Sequence, residues 1–138
     1  MKKKSNIVVY QNLYPINLTI GTFDDIQEIN NKYVFYERID DLLNYHNSSN
    51  NLIISQSTAA KTILASEKST DYKTILIILD TELANKYLGI LAHESVHYAD
   101  AVFDYLGMNG EGYDSGDEHY AYLVEWCFDR LFEYVTRK

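Results

Sequence analysis

The 138 residues carry 46% apolar and 23% charged side chains, which excludes a disordered chain and suffices to close one core without disulfides. A formal charge of −8 argues against the basic face that nonspecific nucleic-acid binding needs. Cys127 is the single cysteine, so no internal disulfide is possible and a reducing compartment is expected.

Lys2-Lys3-Lys4 opens the chain, and the apolar run behind it, Ile7-Val8-Val9-Tyr10, stops at Gln11-Asn12. That run is too short for a signal h-region or a membrane helix. A solvated terminus, a cytoplasmic protein and no membrane partner are expected. Residues 6–20 alternate loosely, are rich in β-branched side chains and contain Pro15. They read as a short strand, a break and a second strand, or as one irregular edge strand. From Phe23 to about Leu43 the residues Ile26, Ile29, Tyr33 and Tyr36 fall at helical spacing behind Asp24 and Asp25, which predicts a helix.

Asn44 to Asn51 is a polar loop, followed by the short apolar stretch Leu52-Ile53-Ile54-Ser55. Thr58 to Ala65 and Thr74 to Leu79 come next, joined by the polar Glu67 to Tyr72, which fits a hairpin turn. The continuous β-branched run of the second segment predicts a buried central strand. Asp80 or Thr81 caps a predicted helix running to about Leu106, with Gly107 at the C′ position. Residues 107–116 hold four of the six glycines and form a loop. A last helix is predicted from about Asp117 to Val135, with Leu123, Val124, Cys127, Leu131 and Val135 as its apolar stripe. This order of elements predicts a single α+β domain over residues 1–138.

The chemistry concentrates in Ala92-His93-Glu94-Ser95-Val96-His97, an HExxH pattern. Residues four apart share a helix face, so His93 and His97 can converge on one tetrahedral zinc ion. Glu94 projects about a quarter-turn away, where it reaches a water on the metal without binding the metal itself. Zinc brings the pKa of such a water to ~7, and a carboxylate then takes its proton and passes it to the leaving amine. A third ligand is required. Glu118, at the start of the last helix and beyond a glycine-rich loop, is the expected one. Asp117, Asp114 and His119 compete with it, and acids in a first turn also serve the helix dipole.

His93-Glu94-x-x-His97 followed by a Glu on the next helix resembles the gluzincin arrangement of thermolysin-like peptidases in minimal form. The tract Ala92 to Trp126, with Asp117-Glu118-x-x-Ala121-Tyr122-Leu123, is also similar to short metallopeptidase-like proteins of bacteriophages and prophages. The resemblance covers the last third of the chain. It implies zinc, a peptidase-type site, Glu118 as third ligand, a peptide or protein substrate, and a zincin-like fold with a small sheet on the HExxH helix and the C-terminal helix. The chain departs from the thermolysin-like pattern at Tyr122, where those enzymes place an Asp that orients a histidine, and in lacking their substrate-binding lobe.

Lesser candidates surround this motif. Asp100 and Asp104 fall between the histidines on the helical wheel and can accept an imidazole N–H, or simply form a polar face. The metzincin position for a third ligand is Phe103, which binds no metal. Tyr113, Tyr120 and Tyr122 are candidate donors to an oxyanion, though thirteen tyrosines make packing the commoner role. Asn109 to Asp117 lacks the start of an EF-hand loop and reads as a connector. Cys127 is expected to be a buried core thiol, and Trp126 a packing residue. The alternative to an enzyme is a phage-type structural or interaction protein that retains zinc to pin two helices.

Overall fold

The computed structural model describes residues 6–52, 58–108 and 117–137. The readings that fall on Lys2-Lys3-Lys4, Ile53-Ile54-Ser55, Tyr113, Asp114 and the connector from residue 109 to 116 lie outside the described residues. The chain divides after Asp80 into two compact units, and its class is α+β, as the order of elements led us to expect.

Within the first unit, strands β1 (Val8–Tyr10) and β2 (Asn17–Thr22) flank the break at Pro15. Thr22 then closes a tight turn: its N–H and hydroxyl both donate to the Asp25 carboxylate, at 2.8 and 2.9 Å. A 3-10 turn, Phe23–Asp25, leads into helix α1 (Ile26–Lys32). The helix predicted to continue to Leu43 does not. Tyr33–Tyr36 is strand β3, and a separate helix α2 covers Ile39–Asn44. Ile26, Ile29, Tyr33 and Tyr36 satisfy a helical period, but Tyr-Val-Phe-Tyr is β-branched and aromatic and also satisfies the period of two. Pairing decides the matter, with Phe35 opposite Ala65 and Tyr36 opposite Leu64.

Strands β4 (Ala60–Glu67) and β5 (Lys73–Leu79) form the expected hairpin, closed by the Glu67 N–H donating to the Tyr72 carbonyl at 2.9 Å. The sheet order is β1-β2-β5-β4-β3, with β2 parallel to β5 and the other pairs antiparallel. The β-branched strand β5 is thus central, and Thr74 to Leu79 are buried. One sheet face packs Tyr33, Phe35, Ile63, Ala65, Leu76 and Ile78 against Ile29 of α1. Gly21 lets that helix approach, since a Cβ there would stand 3.1 Å from Ile29 Cδ1. Burying each such aliphatic side chain contributes about 2 kcal/mol.

The second unit is helical. The helix predicted from Thr81 to Leu106 is two, α3 (Thr81–Lys86) and α4 (Gly89–Leu106), interrupted at Tyr87-Leu88. Gly89 is the weakest helix former in the stretch, and short-range bonds from Ile90 N to Tyr87 O and from Leu91 N to Leu88 O re-start the helix. Helix α4 ends at Gly107 as anticipated, in the left-handed conformation at φ 68°. The Met108 N–H reaches back to the Phe103 carbonyl at 2.8 Å.

Helix α5 (Asp117–Thr136) packs antiparallel to α4. Tyr98 stacks on Trp126 with ring centroids 5.8 Å apart, and Phe103 meets Tyr120 edge-on at 5.3 Å. Leu123, Cys127 and Leu131 of the expected stripe are buried, joined by Tyr134, while Val135 is only half-buried. No helix among the described residues is long and apolar enough to cross a membrane.

Candidate metal centre

Four residues of α-helix turn the chain through about 400° and raise it about 6 Å, so His93 and His97 stand one above the other on α4. Their Nε2 atoms are 3.1 Å apart, with ring centroids at 4.8 Å and ring planes at 77°. The His93 side chain is 69% exposed, so the pair opens on the surface of the helix. Two nitrogens about 2.05 Å from a common zinc ion and 3.1 Å from each other subtend about 98° at it, close to the tetrahedral value. Donor chemistry and spacing therefore fit zinc.

Glu94 lies on the side of α4 that turns inward and is only 5% exposed. Its Oε2 is nevertheless 3.8 Å from His93 Nε2. A buried carboxylate thus lies at the edge of the imidazole pair. Behind it, Cys127 of α5 sits against Ser95, whose hydroxyl also donates to the Leu91 carbonyl at 2.6 Å. Burial pushes the Cys127 thiol up to about 12, and the neighbouring Glu94 charge adds to the rise while the Ser95 hydroxyl opposes it. This is the buried core thiol expected from the stripe, and it is protonated at neutral pH.

Glu118 stands exposed in the first turn of α5, as does His119. Among the described residues, no three or more His, Cys, Asp or Glu side chains form a group able to hold a metal ion. The structure brings His93, Glu94 and His97 together and does not bring Glu118 to them. The offset runs along the axis: Tyr98 lies against Trp126 and Phe103 against Tyr120, so the start of α5, where Glu118 stands, packs toward the end of α4 and away from His93 and His97.

The grip of Tyr120 on α4 is specific. Its hydroxyl donates to Asp100 Oδ1 at 2.7 Å and lies 3.4 Å from the Val96 carbonyl oxygen. Burial and this bond to Asp100 push the phenol up to about 12, so it remains a donor at neutral pH. Asp100 is therefore engaged by a phenol of the next helix and not by an imidazole. Tyr122 is exposed and Asp104 faces solvent. In the sequence Tyr120 and Asp100 are separate candidates. Nothing local pairs them, because the bond joins residues twenty apart. A cleft of about 530 Å³ in the first unit is lined by Arg38, Asp41 and Lys61 among others.

Set beside known protein families, curated proteins and solved structures, the chain matches none.

Proposed function

We propose that the chain is a zinc-dependent metallopeptidase acting on peptides or proteins, with His93, His97 and Glu118 as ligands and Glu94 as proton carrier. The observation that carries this reading is the 3.1 Å approach of two Nε2 atoms with a buried carboxylate oxygen 3.8 Å from one of them. When bound, zinc supplies a Lewis acid that polarises a peptide carbonyl and brings the pKa of water to ~7. Both imidazoles, neutral and protonated on Nδ1, present Nε2 lone pairs to the same point. Glu94 takes the proton of the attacking water and returns it to the leaving amine. Burial of its stem restricts the carboxylate to few rotamers, which keeps it directed at that point.

A zincin-like reading of residues 1–138 as one domain belongs to the same proposal, as does a cytoplasmic site of action. The free thiol of Cys127 suits a reducing compartment. The competing reading, a phage-type structural or interaction protein pinned by zinc, has less support. Helices α4 and α5 are already joined by the Tyr98–Trp126 stack, the Phe103–Tyr120 contact and the Cys127–Ser95 bond, so an ion is not needed to hold them.

Zinc content is the direct test. Protein dialysed against trace zinc should retain about one ion per chain by mass spectrometry, and His93→Ala and His97→Ala should each lose it. Full zinc in both variants overturns the reading.

A further inference from the structure

In a chain of formal charge −8, cationic side chains have no shortage of partners, and most of those described have taken one. Lys32 and Arg130 pair with the carboxylates of Glu28 and Glu133. Lys68 donates to the Asn30 carbonyl, and Lys73, Lys86 and Arg137 lie over tyrosine rings. Among the described residues that leaves Arg38 and Lys61, whose side chains make neither a hydrogen bond nor an ion pair. Both line the cleft of about 530 Å³ in the first unit. Glu37 and Asp41 line it too, yet neither pairs with these cations, and one Asp41 oxygen accepts instead from the Asn47 amide at 3.1 Å. We propose that the cleft is a binding site for a small organic dianion, a dicarboxylate or a phosphate monoester, whose charge Arg38 and Lys61 neutralise.

The ends of two strands create the space. Strand β3 stops at Tyr36, opposite Leu64, whereas β4 begins four residues earlier at Ala60. Arg38 thus stands just beyond the end of β3, and Lys61 lies on the part of β4 that β3 does not reach. A wall of the cleft is pinned in place. Phe35 and Ser49 exchange both backbone hydrogen bonds at 2.8 Å, and the His46 N–H donates to the Asp41 carbonyl at 2.9 Å. Tyr45 and Asn47 are thereby held in the left-handed region, at φ 55° and 54°, which residues with a Cβ seldom occupy without such support.

The lining suits a small metabolite in size and in chemistry. Phe35 and Leu52 offer apolar surface to a carbon skeleton, and Ser49 and Asn51 offer polar groups. A guanidinium fork grips a carboxylate or phosphate through two parallel N–H bonds, and an ammonium adds a compact point charge. Two cations match two negative charges. The Glu37 and Asp41 carboxylates act against a ligand that carries more charge than those cations offset. Nothing in this site depends on zinc.

The test is a titration of the isotope-labelled full chain with succinate and, separately, with inorganic phosphate, at constant ionic strength, followed by amide chemical shifts. At ordinary per-atom binding strength a probe of this size reaches a Kd of about 1 mM, with shifts concentrated at Arg38, Lys61 and the loop carrying Ser49. Arg38→Gln and Lys61→Gln should each weaken binding by at least about fivefold. Both side chains are exposed, so neither change disturbs the core, and the thermal unfolding midpoint checks this. Lys86→Gln removes the same charge from α3, outside the cleft, and should leave binding unchanged. Saturation by succinate alone assigns dicarboxylates and by phosphate alone phosphate esters; either one, lost in both cleft variants, supports the site. No saturable shift with either probe well above that Kd refutes it, as does binding that either cleft variant retains in full or that Lys86→Gln weakens equally.

Discussion

Replacing Glu94 with glutamine separates chemistry from folding at a single position. The side chain is 5% exposed, so the substitution must be judged as a buried one. Glutamine conserves its volume and its capacity to accept a hydrogen bond, and a volume-conserving change in a packed site costs below about 1.5 kcal/mol. Alanine at the same place would remove one methylene, about 0.8 kcal/mol, together with the carboxylate, and strand a buried partner at a further ~1–3 kcal/mol. Glu94→Gln should therefore lower the unfolding temperature by no more than a few degrees, while Glu94→Ala lowers it visibly further.

Catalysis should behave differently, because the amide cannot take a proton near pH 7. The loss expected of a general base is at least ~10² in rate, which is about 2.7 kcal/mol of barrier. Hydrolysis of a diverse peptide library, followed by mass spectrometry with zinc present, gives the rate, and thermal unfolding and zinc content give the controls. Equal hydrolysis by the wild type and Glu94→Gln would refute the proton-carrier role. Absence of cleavage by the wild type, with zinc bound, would favour the structural reading.

Among the third-ligand candidates, Glu118→Ala should weaken zinc binding by orders of magnitude and Asp117→Ala should leave it nearly intact. Chelator competition on both variants decides, and the reverse result moves the ligand by one residue. Cys127 should resist a thiol reagent at pH 8 in the native protein and react on unfolding, because burial keeps the thiol protonated well above its usual range; fast labelling of the native chain would contradict its placement. The same shift has a sign for stability. The folded pKa, about 12, lies above the thiol's ordinary value of 9.0, so the unfolded chain loses its proton first, and stability present below pH 9 should be lost as pH rises toward 12, by about 1.4 kcal/mol per unit at most. Tyr120, also pushed up to about 12 from 10.0, acts in the same direction, and denaturant midpoints that rise over that range would oppose both assignments. Gly107→Ala should cost about 1 kcal/mol, since its φ of 68° is a conformation that a Cβ disfavours; an unchanged unfolding temperature would show that the helix ends otherwise.

Local rules sufficed wherever the determining partners lie close along the chain. The approach of His93 to His97 follows from four residues of α-helix and nothing more distant. The turn between β4 and β5 and the end of α4 at Gly107 are likewise local, as is the central place of the β-branched run Thr74 to Leu79, which can only be satisfied between two strands. Other features depend on partners far away in sequence. Tyr33–Tyr36 became a strand because β4, some thirty residues on, offers an open edge to Phe35, and no periodicity within the segment separates that outcome from a helix. The inward turn of Glu94 depends on which face of α4 is covered. The seating of α5 on α4 is set by Tyr120 meeting Asp100 and Phe103 across the helix pair. A helix start fixes where a carboxylate begins along the axis, whereas only packing against another element fixes the angle at which it leaves.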